Sequence, residues 1–235
     1  MIPSMRKPGK RGTVAAALAC LLSLGAAGSA QAADPIIAPP GAEFGNFSAA
    51  TYNMAPGERP TLQNNDPGVD HDVLSRGRIG GGPLFLSPTI TGPGSVLVNG
   101  TQYLNTGTYE FICNVHPLSM SATLNVSGAG SPQPRPKIVV KVLSGKIKRV
   151  ANSRKARVRV RAVTTSTNVA LALKLRNLRL GGKANINLQA GQKRVLTLKL
   201  SKRAKKKLSA KNRARVKLIG SVRFGPRATA SKLLK

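Results

Sequence analysis

The chain has 235 residues, a hydrophobic fraction of 41% and a net charge of +31, so it has enough apolar residues for one or two packed domains. Its charge is unevenly spread: residues 34–134 hold all seven acidic residues, whereas residues 135–235 hold 31 of the 38 Lys and Arg residues and no acid. Residues 135–235 also lack His, Cys, Tyr and Trp, which argues against acid–base catalysis or metal binding there. We expect the protein not to be an enzyme.

Residues 1–32 have the features of an export signal. Basic residues precede an apolar run, and small side chains at Ala30 and Ala32 suit cleavage just before Ala33. The run is short and interrupted, and no later segment approaches the ~20 apolar residues that a membrane span requires. We therefore expect an exported protein, periplasmic or extracellular, with no transmembrane segment in the mature chain.

The mature chain has a single cysteine, Cys113, because Cys20 lies inside the predicted signal. Exported proteins usually pair their cysteines, so an unpaired one needs an explanation. Two explanations are open at this point: a buried, inert thiol, or a thiol that binds a metal.

The acidic half predicts an all-β sandwich. Residues 33–43 are rich in proline and predict an irregular lead-in. From residue 44 to 127, short strand-like segments alternate with turn signals at about ten-residue spacing, and none has helical periodicity. Residues 75–95 are rich in Gly and Pro and predict an irregular surface loop. The clearest predicted strands are 60–63, 71–74, 96–98, 109–113 and 122–126.

The basic half predicts a second, smaller sandwich after a Pro/Gly linker at residues 128–136. Residues 137–235 contain six or seven alternating segments within about 95 residues, which is typical of an immunoglobulin-like sandwich. Residues 201–213 predict one short cationic helix. We expect the tail from Gly225 to be frayed.

Residues 107–120 carry the chemistry of the chain. They place Cys113, His116 and Met120 on one short segment, and His71 is the only other histidine. A thiolate, imidazoles and a thioether form a soft donor set that selects copper over magnesium or calcium. A structural zinc site is less well matched, because it uses Cys and His without a thioether.

Residues 44–126 resemble the cupredoxins, the blue copper proteins of the plastocyanin, amicyanin and pseudoazurin type. The resemblance is carried by Asn65-Asp66, by His71-Asp72-Val73 and by the motif Gly-x-Tyr-x-Phe-x-Cys-x-x-His-Pro at 107–117. It implies a Greek-key sandwich with one type 1 copper, whose ligands are His71, Cys113, His116 and Met120. It also implies an electron port formed by His116, Pro117 and Leu118.

Two features depart from the cupredoxin pattern. Three residues separate His116 from Met120, whereas amicyanins have two and plastocyanins four, and the axial ligand tunes the redox potential. Asp72 follows the first histidine, where many members place Asn.

Function and partners follow as expectations. The leading hypothesis is one-electron transfer by a secreted copper protein whose cationic domain attaches it to the cell envelope. The alternatives are copper delivery or storage without an electron-transfer partner, and an adhesive surface protein with a vestigial site. The redox partner is unknown.

Residues 135–235 could bind an anionic cell-wall polymer, lipid headgroups or an acidic redox partner, or their charge could serve solubility alone. Nucleic acid is disfavoured, because Phe224 is the only aromatic residue available for stacking on bases.

Overall fold

Short strands with alternating burial dominate residues 33–235, the part of the chain that the computed structural model describes. The predicted export signal, residues 1–32, lies outside the described residues. The all-β class is confirmed, since α-helix is confined to two short segments within the described range. Neither helix is long and apolar enough to cross a membrane.

The first half contains eleven short strands and two 3-10 turns, at Ala42–Phe44 and Thr101–Tyr103. The strands are β1 (Ile36–Ala38), β2 (Thr51–Met54), β3 (Thr61–Asn64), β4 (Asp70–His71), β5 (Leu74–Ser75), β6 (Arg78–Ile79), β7 (Gly82–Pro83), β8 (Ile90–Thr91), β9 (Gly94–Leu97), β10 (Gly107–Ile112) and β11 (Ser121–Val126).

Two sheets enclose the core of this half. One has the strand order β1-β3-β9 and the other β2-β11-β10-β5, with β1 parallel to β3 and β2 parallel to β11. The core between them is built around aromatic rings: Phe111 lies 5.1 Å from Phe47 and 6.2 Å from both Tyr52 and Phe85, centroid to centroid. Burial of these large side chains stabilises the sandwich together with the aliphatic residues around them.

Two loop predictions in this half need correction. The lead-in contains strand β1, whose Ile36 and Ala38 are fully buried and pair with β3. Prolines flank the paired residues without interrupting them. The proline-rich composition of the lead-in therefore gave no sign of a three-residue strand. The predicted surface loop of residues 75–95 contains β6, β7 and β8 and sends Phe85 into the core.

The second half contains seven longer strands and two helices. They are β12 (Ile138–Val142), α1 (Ile147–Ser153), β13 (Lys155–Ala162), β14 (Ser166–Leu175), β15 (Leu178–Leu188), β16 (Lys193–Lys199), α2 (Lys202–Ser209), β17 (Ala214–Ser221) and β18 (Ala228–Leu234). They form the sheets β12-β13-β16 and β15-β14-β17-β18 around a separate core of Val, Leu, Ile and Ala.

Two elements here differ from expectation. Helix α1 was not predicted; it buries Ile147, Val150 and Ala151, a helical spacing too short to stand out in the sequence. The tail is not frayed, because β18 pairs with β17 along its whole length and Leu234 is buried. The cationic helix was predicted correctly as α2, whose N-cap Ser201 accepts a hydrogen bond from the Ala204 amide.

The segment between the halves is docked at several points. The Gln133 amide donates to the Gln102 carbonyl at 2.8 Å, and the Arg135 guanidinium donates to the Phe224 carbonyl at 3.2 Å. The Phe224 ring lies 6.3 Å from that of Tyr103. Gly100 has φ +103°, and a Cβ there would lie 2.7 Å from the Phe224 ring, so glycine is required by both backbone and space.

Replacing Leu234 by Ala should lower the stability of the second half by about 2–5 kcal/mol, because a fully packed leucine is truncated. Replacing the neighbouring Leu233, which is 38% exposed, should cost less than about 1 kcal/mol. Urea unfolding followed by circular dichroism measures both. In the folded state, before urea is added, tyrosine fluorescence should be the same in both variants as in the parent protein, since all three tyrosines lie in the first half. Equal effects of the two substitutions would show that the tail is frayed.

Candidate metal centre

Strand pairing brings two distant parts of the chain to one end of the first sandwich. Strand β10 ends at Ile112, which pairs with Leu74 of β5, and the chain just before β5 carries His71. His71 is itself paired with Ile90 of β8. Since Cys113 follows Ile112 directly, sheet register places it beside His71, 42 residues earlier in the sequence.

The connection between β10 and β11 supplies the rest of the site. The Cys113 amide donates to the Met120 carbonyl at 3.1 Å, and the Met120 amide donates to the His116 carbonyl at 3.0 Å. These two bonds close residues 113–120 into a compact loop. Cys113 and Met120 are fully buried in it, whereas His116 is half-buried.

Three donor atoms converge in a triangle. The distance from Cys113 Sγ to His71 Nδ1 is 3.7 Å, that from Cys113 Sγ to His116 Nδ1 is 3.9 Å, and the two Nδ1 atoms are 3.3 Å apart. The point equidistant from the three atoms lies about 2.1 Å from each, which is close to the length of a metal bond to imidazole nitrogen or thiolate sulfur. The predicted residues His71, Cys113 and His116 therefore fit a single transition-metal ion.

The opposite edge of the His71 ring determines which nitrogen faces the site. Its Nε2 lies 3.1 Å from the buried carboxylate of Asp66. Burial would raise the pKa of Asp66, but hydrogen bonds, the largest from the Gly41 amide and the His71 ring, lower this pKa to about 2. An ionised carboxylate accepts a hydrogen bond from Nε2–H, which leaves a lone pair on Nδ1 for a metal.

A hydrogen-bonded loop supports Asp66 in turn. The buried Asn64 donates from Nδ2 to the carbonyls of Val69 and Ile90, both at 2.9 Å, and its Oδ1 accepts from the Asp66 amide. The position of His71 is therefore determined by a network, which a metal site needs if the ligand is to hold its orientation.

Asp72 connects the two ligand segments. Its carboxylate accepts a hydrogen bond from the Asn114 amide at 2.6 Å and one from the Thr89 hydroxyl at 3.2 Å. Its own amide points at Cys113 Sγ, 3.5 Å away. Asp72 therefore links the segment of His71 to the loop of residues 113–120 through its carboxylate.

The Cys113 thiol is fully buried. Burial raises its pKa, and the negative charge of Asp72 adds to that, against the opposing effect of nearby amides. The metal-free side chain is therefore held as the neutral thiol, and its deprotonation is coupled to binding a cation.

The predicted electron port is exposed. Leu118 is fully exposed, and Pro117 and Val115 are exposed beside the half-buried His116. Phe44, 88% exposed, belongs to the neighbouring 3-10 turn, which is joined to the loop by a hydrogen bond from the Ser119 hydroxyl to the Glu43 carbonyl. Together these residues form an apolar surface at the loop.

Sequence reasoning missed the supporting residues. Asn64, the role of Asp66 as partner of His71, and Phe44 were not predicted. The available signal was weak: an acidic residue five positions before a histidine within a polar loop. Met120 lies in the closed loop as predicted, and its role as axial ligand stays a prediction.

No protein-family model matches the sequence, and neither does any curated protein. Among solved structures, the chain is similar to a purple cupredoxin from Nitrosopumilus maritimus, with 26% identity over 40% of this chain and 100% of that one, at a TM-score of 0.33. A reduced Cu(I) form of an amicyanin variant matches with 19% identity over 40% and 82% of the two chains, at 0.32.

A marsupial T cell receptor matches with 12% identity over 80% of this chain and 98% of that one, at 0.29. At TM-scores this low, the donor atoms alone carry the case for a metal.

The raised pKa of Cys113 predicts slow alkylation of the metal-free protein. At about pH 8 the native thiol should react with iodoacetamide far more slowly than the urea-unfolded chain, because less of it is thiolate and it is buried. The native rate should rise as the pH is increased further. The Cys20→Ser background leaves Cys113 as the only thiol. Equal rates in the native and unfolded states would contradict the buried setting.

Replacing Asp72 by Ala should weaken copper binding by about 10–100-fold, because the ligand loop loses its link to the His71 segment. Asp70, two positions earlier and exposed, provides the matched control, and Asp70→Ala should leave the affinity nearly unchanged. Competition titration against a copper chelator measures both. The role assigned to Asp72 fails if the two variants bind copper equally well.

Proposed function

We propose that the protein is a type 1 copper protein that carries one electron at a time and is not itself an enzyme. The observation that carries this proposal is the triangle formed by Cys113, His71 and His116, with sides of 3.3, 3.7 and 3.9 Å. Two imidazoles and one thiolate in a trigonal set, with Met120 as a weak axial thioether, favour copper in both of its common oxidation states.

The role of each residue follows from its surroundings. Bound copper would supply a centre that gains and loses one electron. The buried Cys113 and His71 keep the donor set rigid and dry, and Asp66 and Asp72 hold their positions. A rigid set favours fast transfer, since little has to move when the charge changes. The half-buried His116, with Pro117 and Leu118 around it, provides the route to a redox partner.

We further propose export and attachment to the cell envelope. Export is supported by residues 1–32, where basic residues are followed by an apolar run and then by small side chains. Attachment is supported by the 31 basic residues of the second half, which contains no acidic residue. Partners for this half are anionic wall polymers or lipid headgroups, attracted in a salt-sensitive manner. The surface of Phe44, Val115, Pro117 and Leu118 is left free for the redox partner.

Absorption spectroscopy tests the copper proposal. Purified protein given Cu(II) should become intensely coloured through thiolate-to-copper charge transfer, and a mild reductant should bleach the colour reversibly. Cys113→Ser should remain colourless, while Met54→Leu, outside the predicted ligand set, should retain the colour. Colourless protein that binds Zn(II) tightly would overturn the proposal.

Copper delivery or storage is distinguished by retention of the metal. An electron carrier should keep its copper through repeated reduction and oxidation, because both states suit the same donors. Release of the ion on reduction, measured with a Cu(I) chelator, would favour delivery over electron transfer.

A further inference from the structure

One outer sheet face of the second half is predominantly cationic. On the sheet β12-β13-β16, strict alternation buries Ala156, Val158 and Val160 and turns the intervening residues outward. Seven of the ten outward side chains are Lys or Arg, and all ten are exposed. The cationic face consists of Lys141, Lys155, Arg157, Arg159, Arg161, Lys193 and Lys199, with Val139, Val195 and Thr197 between them.

The register of this face places like charges opposite one another. Three pairs of cations lie directly opposite one another: Lys141 and Arg159, Lys155 and Lys199, and Arg161 and Lys193. Such pairs destabilise a sheet when nothing neutralises them. Within residues 33–235, no carboxylate forms an ion pair with these side chains. The face therefore carries a cost in stability that an anionic partner would remove.

The other sheet shows that this density is local. On its outer side Arg215 and Lys217 of β17 face Leu233 and Ser231 of β18. Cations there are diluted by small, hydroxyl and aliphatic residues, although the whole half is basic.

A cavity opens at one edge of the cationic face. It has a volume of about 430 Å³ and includes Lys155 and Arg157 of the face, Lys146 and Arg149 from the α1 segment, and the hydroxyls of Ser144 and Ser153. Four cations around a space of this size suit a single phosphate-bearing group, whereas the Ser153 hydroxyl already donates to the Arg149 carbonyl.

We propose that the cationic face docks on an anionic lipid bilayer, with the edge cavity taking the phosphate of one lipid headgroup. This inference rests on the proposed envelope attachment and names its surface and its partner. Neighbouring strands are about 4.8 Å apart and alternate residues about 7 Å apart, so the charges form a two-dimensional array. A planar array matches a membrane surface, which presents anionic groups in two dimensions.

The composition of the face favours a lipid surface over nucleic acid. Val139 and Val195, 53% and 48% exposed, are shorter than the Lys and Arg side chains around them, so the charged ends of those side chains meet the headgroup phosphates first. The face has no aromatic side chain on which a nucleic-acid base could stack.

Vesicle sedimentation tests the proposal. The protein should bind vesicles containing about one-third phosphatidylglycerol at low salt, and should bind neither pure phosphatidylcholine vesicles nor the anionic ones at 0.5 M salt. Replacing Arg157, Arg159 and Arg161 together by Gln should weaken binding about 100-fold. The matched control replaces Lys183, Arg215 and Lys217 by Gln, removes the same charge from the other sheet, and should change binding less than about fivefold.

All replaced side chains are exposed, and circular dichroism establishes that each variant is folded. Equal losses in the two triple variants would overturn the proposal, because attraction would then be diffuse. Binding to polyphosphate or to DNA but not to anionic vesicles would also overturn it, yet polyphosphate binding would leave attachment through a polymer standing. If the protein binds neither anionic vesicles, nor polyphosphate, nor DNA, both this inference and the proposed envelope attachment are wrong, while the proposed copper site is unaffected.

A second pair of variants tests the role of the cavity. Arg149 lines it, whereas Lys148 is exposed on the same helix outside it. Arg149→Gln should weaken binding to the anionic vesicles about fivefold, and Lys148→Gln should have little effect. Equal effects would overturn the assignment of the cavity to a headgroup.

Discussion

The imidazole of His71 is constrained on both of its edges, and the geometry of the site depends on that constraint. Asp66 holds Nε2, so Nδ1 faces Cys113 and His116 with its lone pair available. The same carboxylate accepts hydrogen bonds from the amides of Gly41 and Ala42, and these bonds join the segment after β1 to the site. One ionised side chain therefore orients a ligand and anchors the N-terminal part of the sandwich, and its burial makes these hydrogen bonds strong.

The second half folds although it carries a large charge of one sign. Self-repulsion of this kind disfavours a compact state. Strict alternation on β13 puts every arginine of that strand on the outside and only Ala and Val on the inside, so none of its cations enters the core. The repulsion that remains is concentrated on the cationic face, where an anionic surface would turn it into attraction.

Contacts between the halves orient one with respect to the other. Arg135 reaches the Phe224 carbonyl, and the Phe224 ring packs near Tyr103 in a space that exists because residue 100 is glycine. The chain between the halves is extended by its prolines and is held by these contacts and by Gln133. The predicted linker therefore also serves as a packing segment.

The all-β class, the alternating strands of the basic half, helix α2 and the residues His71, Cys113 and His116 could all be predicted from the sequence. These follow from local periodicity and from a short inventory of soft donors, and both can be recognised without coordinates. That β1 and β18 are strands is visible only in the fold, because their composition resembles that of a loop and a tail, and pairing with β3 and β17 makes them strands. Tertiary structure also decided the pairing of Asp66 with His71 and of Asp72 with the ligand loop, since hydrogen bonds between loops depend on where strand register brings those loops together.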